Sequence, residues 1–199
     1  MSFKAAFFDL GGVIVRTEYQ APRERLAERL NVSIEDLYRT VFESETSKKA
    51  SLGTVSEAEH WATVAHKLGR PAAEAASIRD EFFAGDVIDH SLVDYIRNLR
   101  PQYTTGVISN AWPDMRAFIV KNKFDDAFDN MVISAEVGVM KPQPGIYNLA
   151  LEQAKVRADE AIFVDDMPAN IEAANALGMR GILFRDPHKT LIELKMLLD

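Results

Sequence analysis

The stretch Phe7-Phe8-Asp9-Leu10-Gly11-Gly12-Val13-Ile14 sets the fold class of this 199-residue chain. An apolar run that starts at Lys4 stops abruptly at an aspartate, and two glycines follow. Between Ala5 and Val15 the hydrophobic character invites a membrane or export reading. Asp9 in its middle, the single Lys4 ahead of it and its short length speak against both, as does the lack of a small-residue cleavage site. A buried strand that ends in a carboxylate and a tight turn accounts for the pattern.

Four further runs have the same character: Thr105–Ile108, Met131–Ile133, Ala161–Val164 and Gly181–Phe184. None alternates cleanly, as expected of strands covered on both faces. Helical spacings separate them. Leu92, Ile96 and Leu99 precede Pro101; Ile171, Ala174 and Leu177 precede Gly178, which stands where a left-handed cap belongs. Alternating strands and helices predict an α/β fold, a doubly wound parallel sheet with helices on both faces. From about Arg16 to about Asp86 no strand-like run occurs. Ser33-x-x-Asp36 and Ser56-x-x-Glu59 are helix-starting patterns, and Leu26, Leu30, Ile34, Leu37 and Val41 recur at helical spacing. The expected organisation is a core of residues 1–15 and 87–199, with residues 16–86 inserted as a small helical domain.

In open parallel sheets, ligands bind beyond the carboxyl ends of the strands. Here those ends carry Asp9-Leu10-Gly11-Gly12, Ser109-Asn110, a segment running through Glu136 and Gly138 to Lys141-Pro142, and Asp165-Asp166. Any one of these residues has an ordinary alternative role as a helix cap; the set has a chemical meaning. Several carboxylates in one place repel unless a cation intervenes. A hard divalent ion with oxygen ligands answers that, and magnesium, which takes one or two carboxylates and a substrate phosphate, fits best. No His or Cys lies at these ends, which disfavours zinc.

FFDLGGVI, VISN, KPQP and FVDDMPANIEAANALGM, in this order, resemble the four motifs of the haloacid dehalogenase superfamily. The resemblance covers Ser2–Gly12 and about Asp89–Asp199, and the helical insert resembles the cap domain that such enzymes carry after the first motif. It implies a magnesium-dependent phosphatase in which Asp9 attacks phosphorus and becomes an aspartyl phosphate. By the same resemblance, Lys141 offsets charge between nucleophile and phosphate, and Ser109, Asn110 and the backbone around Gly12 hold phosphate oxygens. Asp9, Asp166 and the Gly11 carbonyl would then ligate the metal, with Asp165 a ligand through water or a supporting partner. One position departs from the pattern. Family phosphatases carry a second Asp two residues after the nucleophile as general acid and base, and here Gly11 stands in its place. A lineage resembling bacterial α-glucose-1-phosphatase shares this start, which points to a small phosphorylated metabolite such as a sugar phosphate. The departure leaves open a dehalogenase and a catalytically idle phosphate-binding protein.

The bulk properties limit the partners. The chain is 47% hydrophobic and 27% charged, with a formal net charge of −7. An acidic chain lacks the electrostatic footprint for nucleic acid or an anionic membrane. The absence of cysteine excludes disulfides and thiolate chemistry and suits a cytoplasmic setting. Trp112 and Pro113 follow Ser109-Asn110 and could roof a phosphate pocket, although packing accounts for them as well. Lys48, Lys49, Arg16, Thr17 and Glu18 are candidates for substrate contact by position alone. His60, Trp61 and His66 share one helical segment, where packing is the ordinary role; His90 and His188 carry no signal.

Overall fold

The computed structural model describes residues 2–198. Five parallel strands form its central sheet: β1 (Ala5–Phe8), β4 (Thr104–Ser109), β5 (Asn130–Ile133), β6 (Ala161–Asp165) and β7 (Arg180–Leu183), in the order β5-β4-β1-β6-β7. The fold class read from the sequence is the one found, with each strand end within a residue of its expected place. Side chains alternate across the pleat, and both sets are buried. Ala6 and Phe8 face one apolar layer with helices α6 (His90–Asn98), α7 (Met115–Lys121) and α11 (Pro187–Leu198). Ala5 and Phe7 face a second layer with α9 (Pro144–Ala154) and α10 (Pro168–Ala176), and a one-turn α8 (Ser134–Val137) follows β5 directly. This two-sided burial is why the strands read as continuous apolar runs.

Between β1 and α6 lies the helical insert: α1 (Ala21–Leu30), α2 (Ile34–Phe42), α3 (Glu45–Ser51), α4 (Glu57–Lys67) and α5 (Ala75–Phe83). These helices pack around an apolar cluster of their own, centred on Leu26, Leu37, Val41, Val64, Ile78 and Phe82. The caps legible in the sequence form: Ser33 accepts from the Asp36 amide, and Ser56 with Glu59 makes a reciprocal capping box. Gly178 adopts φ +94° just past α10. The expectation that no strand lies between Arg16 and Asp86 is corrected at both edges. β2 (Val15–Thr17) and β3 (Asp86–Ile88) pair antiparallel where the insert leaves and rejoins the core. Three-residue strands are too short to show a period, so only their pairing reveals them. Arg23, 4% exposed, ties this ribbon to the insert through the Asp86 carboxylate (2.8 Å), the Phe82 carbonyl (3.0 Å) and the Tyr38 hydroxyl (2.7 Å). Among the described residues no helix is long and apolar enough to cross a membrane.

Candidate active site

β1 is the middle strand of the five, with β4 and β6 as its neighbours, so Asp9, Ser109 and Asp165 emerge side by side at one sheet edge. Asp9 is 8% exposed. Its Oδ1 accepts from the Leu10 amide (2.7 Å) and from Ser109 Oγ (2.7 Å), and its Oδ2 lies 2.8 Å from Lys141 Nζ. The same ammonium is 2.6 Å from Asp165 Oδ2, so Lys141 bridges two buried carboxylates. Asp165 is fully buried and saturated: its oxygens also accept from the Met167 amide (2.7 Å) and from Asn170 Nδ2 (3.0 and 3.1 Å). Asp166 is half-buried beside it. Oxygen atoms of Asp9, Asp165 and Asp166 lie within 4.8 Å of one another.

Three carboxylates therefore face one ammonium, and the imbalance appears in their acidity. Burial pushes the Asp9 carboxyl up to about 6; Lys141 opposes that rise and Asp165 adds to it. Asp166 is also raised, by burial first and then by Asp165. Burial, with the Asp165 and Asp9 charges, likewise raises the Tyr147 hydroxyl, which donates to the Asn170 carbonyl (3.0 Å). A metal ion fits this donor set: hard oxygen ligands, uncompensated negative charge and no sulfur or imidazole.

Local structure fixes the two glycines differently. Gly12 has φ +77°, and a Cβ there would lie 2.3 Å from Asp166 Oδ2, so the carboxylate rests directly on glycine backbone. Gly11 is exposed, lies outside the left-handed region, and a Cβ there would meet nothing within 4 Å. Its lack of a side chain is not a demand of the backbone. Asn110 is engaged with the backbone of Lys141, donating to its carbonyl (2.9 Å) and accepting from its amide (2.7 Å). Neither Ser109 nor Asn110 caps the following helix, which starts only at Met115.

Other residues singled out in the sequence lie elsewhere. Arg16 is bound to the Val13 carbonyl, Glu18 and Asp89, and Thr17 to Asp86, all within the ribbon region. Lys48 and Lys49 are exposed, with Lys49 2.7 Å from Glu45. His90 is exposed. His60 and Trp61 are buried in the insert, and Trp112 reaches across to join them. Two residues escaped the sequence reading. Asn170 orients Asp165 from the first turn of α10, and Ser134 bonds both the amide and the carbonyl of Ala111 (3.0 and 3.2 Å). An Asn one turn past Asp-Asp-x-Pro is a signal for the first; a lone Ser gives none for the second.

The family model for haloacid dehalogenase-like hydrolases matches residues 3–178. This chain belongs to that family. It is a hydrolase with phosphatases among its relatives, as the four motifs lead one to expect. A sesquiterpene phosphatase of Aspergillus oryzae is 30% identical over 199 residues, spanning 99% of this chain and 97% of that protein. A D-ribitol-5-phosphate phosphatase of Bacteroides thetaiotaomicron is 30% identical over 46% of this chain and 48% of that protein. Among solved structures, a haloacid dehalogenase family enzyme of B. thetaiotaomicron, crystallised with magnesium and inorganic phosphate, superposes with a TM-score of 0.78. It is 22% identical and covers 92% of this chain and 95% of its own, a likeness of fold.

Proposed function

We propose that this haloacid dehalogenase-like hydrolase is a magnesium-dependent phosphatase of a small phosphorylated metabolite, acting through an aspartyl phosphate on Asp9. The observation that carries the proposal is the Asp9–Lys141–Asp165 arrangement, a buried carboxylate oriented at one oxygen by Ser109 and Leu10 and charge-balanced at the other by a lysine. Asp9 would form a bond to phosphorus while the ester oxygen departs with its bonding pair and takes up a proton. Water then attacks the phosphoryl group, releasing inorganic phosphate and restoring the carboxylate. Lys141 would hold nucleophile and phosphoryl oxygens together, and the Asn110 clamp on its backbone keeps its Nζ in register. Ser109 Oγ, the second N–H of Asn110 Nδ2 and backbone N–H groups near Gly12 are the candidate phosphate donors.

Asp9, Asp166 and the Gly11 carbonyl are the groups that would hold magnesium. Asp165, whose oxygens are taken by Lys141, Asn170 and Met167, would support them from behind. When bound, the ion supplies positive charge against the phosphoryl oxygens. A phosphate-release screen over phosphorylated metabolites, with and without magnesium, tests the proposal. Release that survives chelation or the Asp9→Asn exchange would refute it. The fragmentary likeness to a polyol phosphatase and the resemblance to the glucose-1-phosphatase lineage support a sugar phosphate; the full-length likeness to a sesquiterpene phosphatase supports an apolar substrate.

A further inference from the structure

Trp112 leaves the phosphate-side loop and enters the helical insert. The residues before it are tightly held: Ser109 on Asp9, Asn110 on Lys141, Ala111 on Ser134. Its ring then meets four aromatic side chains of the insert. It stacks on Phe42 (6.0 Å between centroids, 24° between planes), lies 4.5 Å from His60, and meets Trp61 (5.7 Å) and Phe83 (6.3 Å) edge-on. It lies three positions beyond Ser109, so the two Cα atoms are at most about 11 Å apart even along a fully extended chain. The cluster is not closed: Trp112 is half-buried and Phe42 is 44% exposed.

Resting on the phosphatase reading, we propose that the stacked Trp112–Phe42 pair is a specificity-determining seat for an apolar group on the substrate, selecting phosphate esters with a hydrocarbon or aryl portion over sugar phosphates. A sugar needs hydrogen-bonding side chains aimed at its hydroxyls. Of the polar residues that the sequence offers for substrate contact, Arg16, Thr17 and Glu18 are bound in the ribbon, Lys49 is paired to Glu45, and Lys48 is exposed. His60 is fully buried, with Thr46 Oγ1 3.1 Å from its Nδ1. Burial pushes it down to about 4, so near neutral pH it is an uncharged ring. What the insert presents next to the phosphate loop is aromatic surface, which binds apolar groups by area and ring stacking.

The test uses magnesium-loaded full-length protein and a series of para-alkylphenyl phosphates, whose leaving-group pKa hardly changes with chain length. In the wild type kcat/KM rises about fourfold per methylene buried on the seat. Phe42→Ser and Trp112→Ala flatten that slope and Trp112→Phe restores part of it. Met196→Ser, an apolar side chain on α11 that is 81% exposed, keeps the wild-type slope. A wild type indifferent to chain length, or an equal loss of slope in Met196→Ser, overturns the seat. If no member of the series is hydrolysed, tryptophan fluorescence reads binding instead. Length-dependent affinity that Phe42→Ser abolishes upholds the seat while the phosphatase reading fails, and affinity independent of length overturns the seat itself.

Discussion

Gly11→Asp is the substitution that separates chemistry from architecture in this site. Without a carboxylic acid two residues beyond Asp9, the leaving oxygen must depart with little proton assistance, and the rate must depend steeply on its pKa. Positioned acid–base help is typically worth about 10²–10⁴-fold. Aryl and anomeric phosphates should therefore be turned over fast and simple alkyl phosphates slowly, across a range of that order. The structure removes the usual objection to installing a side chain. Gly11 lies outside the left-handed region, and its Cβ would meet nothing within 4 Å. The position is exposed, so the repulsion of a fourth carboxylate would be screened by solvent and salt. Gly11→Asp is expected to speed alkyl phosphates by 10²-fold or more and aryl phosphates hardly at all. The assay is single-turnover phosphate release against leaving-group pKa for both proteins, at saturating magnesium. A wild type that cleaves alkyl and aryl phosphates equally well, with chemistry rate-limiting, would falsify the missing-acid reasoning. Another group, for instance from the helical insert, would then supply the proton.

The nucleophile and its neighbours give further tests. Asp9→Asn should abolish turnover and yet raise the melting temperature of the metal-free protein at pH 7.5. The raised Asp9 pKa means that stability present below pH 4 is lost as pH climbs through about 6, a penalty of at most ~3 kcal/mol that an amide escapes. A melt showing the mutant less stable, or with an unchanged pH profile, contradicts this. Asp166→Asn should raise the magnesium requirement at least about tenfold with little effect on the melt, in keeping with the loss of one ligand. Asp165→Asn, by contrast, puts an amide where a fully buried carboxylate accepts from Lys141, the Met167 amide and Asn170, leaves those donors facing an N–H group, and should cost about 3–5 kcal/mol of stability. Titrating magnesium and denaturant against both mutants decides the order; a more metal-sensitive Asp165 reverses the ligand assignment.

Strand content and site chemistry were legible for one shared reason. A strand buried on both faces must be apolar until it leaves the sheet, so the first polar residue marks the strand end and faces the crevice there. Asp9, Ser109 and Asp165 all stand out in this way. Lys141 stands eight residues past the end of β5, so the strand-end rule reaches it only loosely, and the family motif supplies its role. Short or cooperative features stayed hidden. β2 and β3 are three residues each and exist by pairing across a long insertion. Asn110 reads as a phosphate ligand or a cap; it caps no helix, and the bridge its amide makes to the backbone of Lys141 has no signal in the sequence. Asn170 and Ser134 each act through a pair of hydrogen bonds, Asn170 to both oxygens of Asp165 across the strand-to-helix turn and Ser134 to the backbone of Ala111 in another loop. Trp112 could not be assigned to core or insert from its neighbours, because its ring belongs to the cluster its backbone does not.

Gly12→Ala draws these strands together in one measurement. The residue sits at φ +77°, where an L side chain costs about 1–2 kcal/mol. Strain alone would thus lower stability modestly and leave the chemistry intact. The contact says otherwise: the new methyl carbon would lie 2.3 Å from Asp166 Oδ2 and 2.5 Å from its Cγ. Backbone on one side and strand β6 on the other leave the half-buried carboxylate as the part that must move. Its displacement separates it from Asp9 and Asp165 and spoils the oxygen cluster, within 4.8 Å at present. The expected outcome is a folded protein whose melt falls by a few degrees, whose magnesium half-saturation rises at least tenfold, and whose turnover at saturating magnesium recovers much of its value. Restoring the metal by mass action is the signature of a displaced ligand. If activity is lost but magnesium binding, followed by calorimetry, is unchanged, Asp166 is not the ligand that Gly12 makes room for. The glycine would then serve the turn alone.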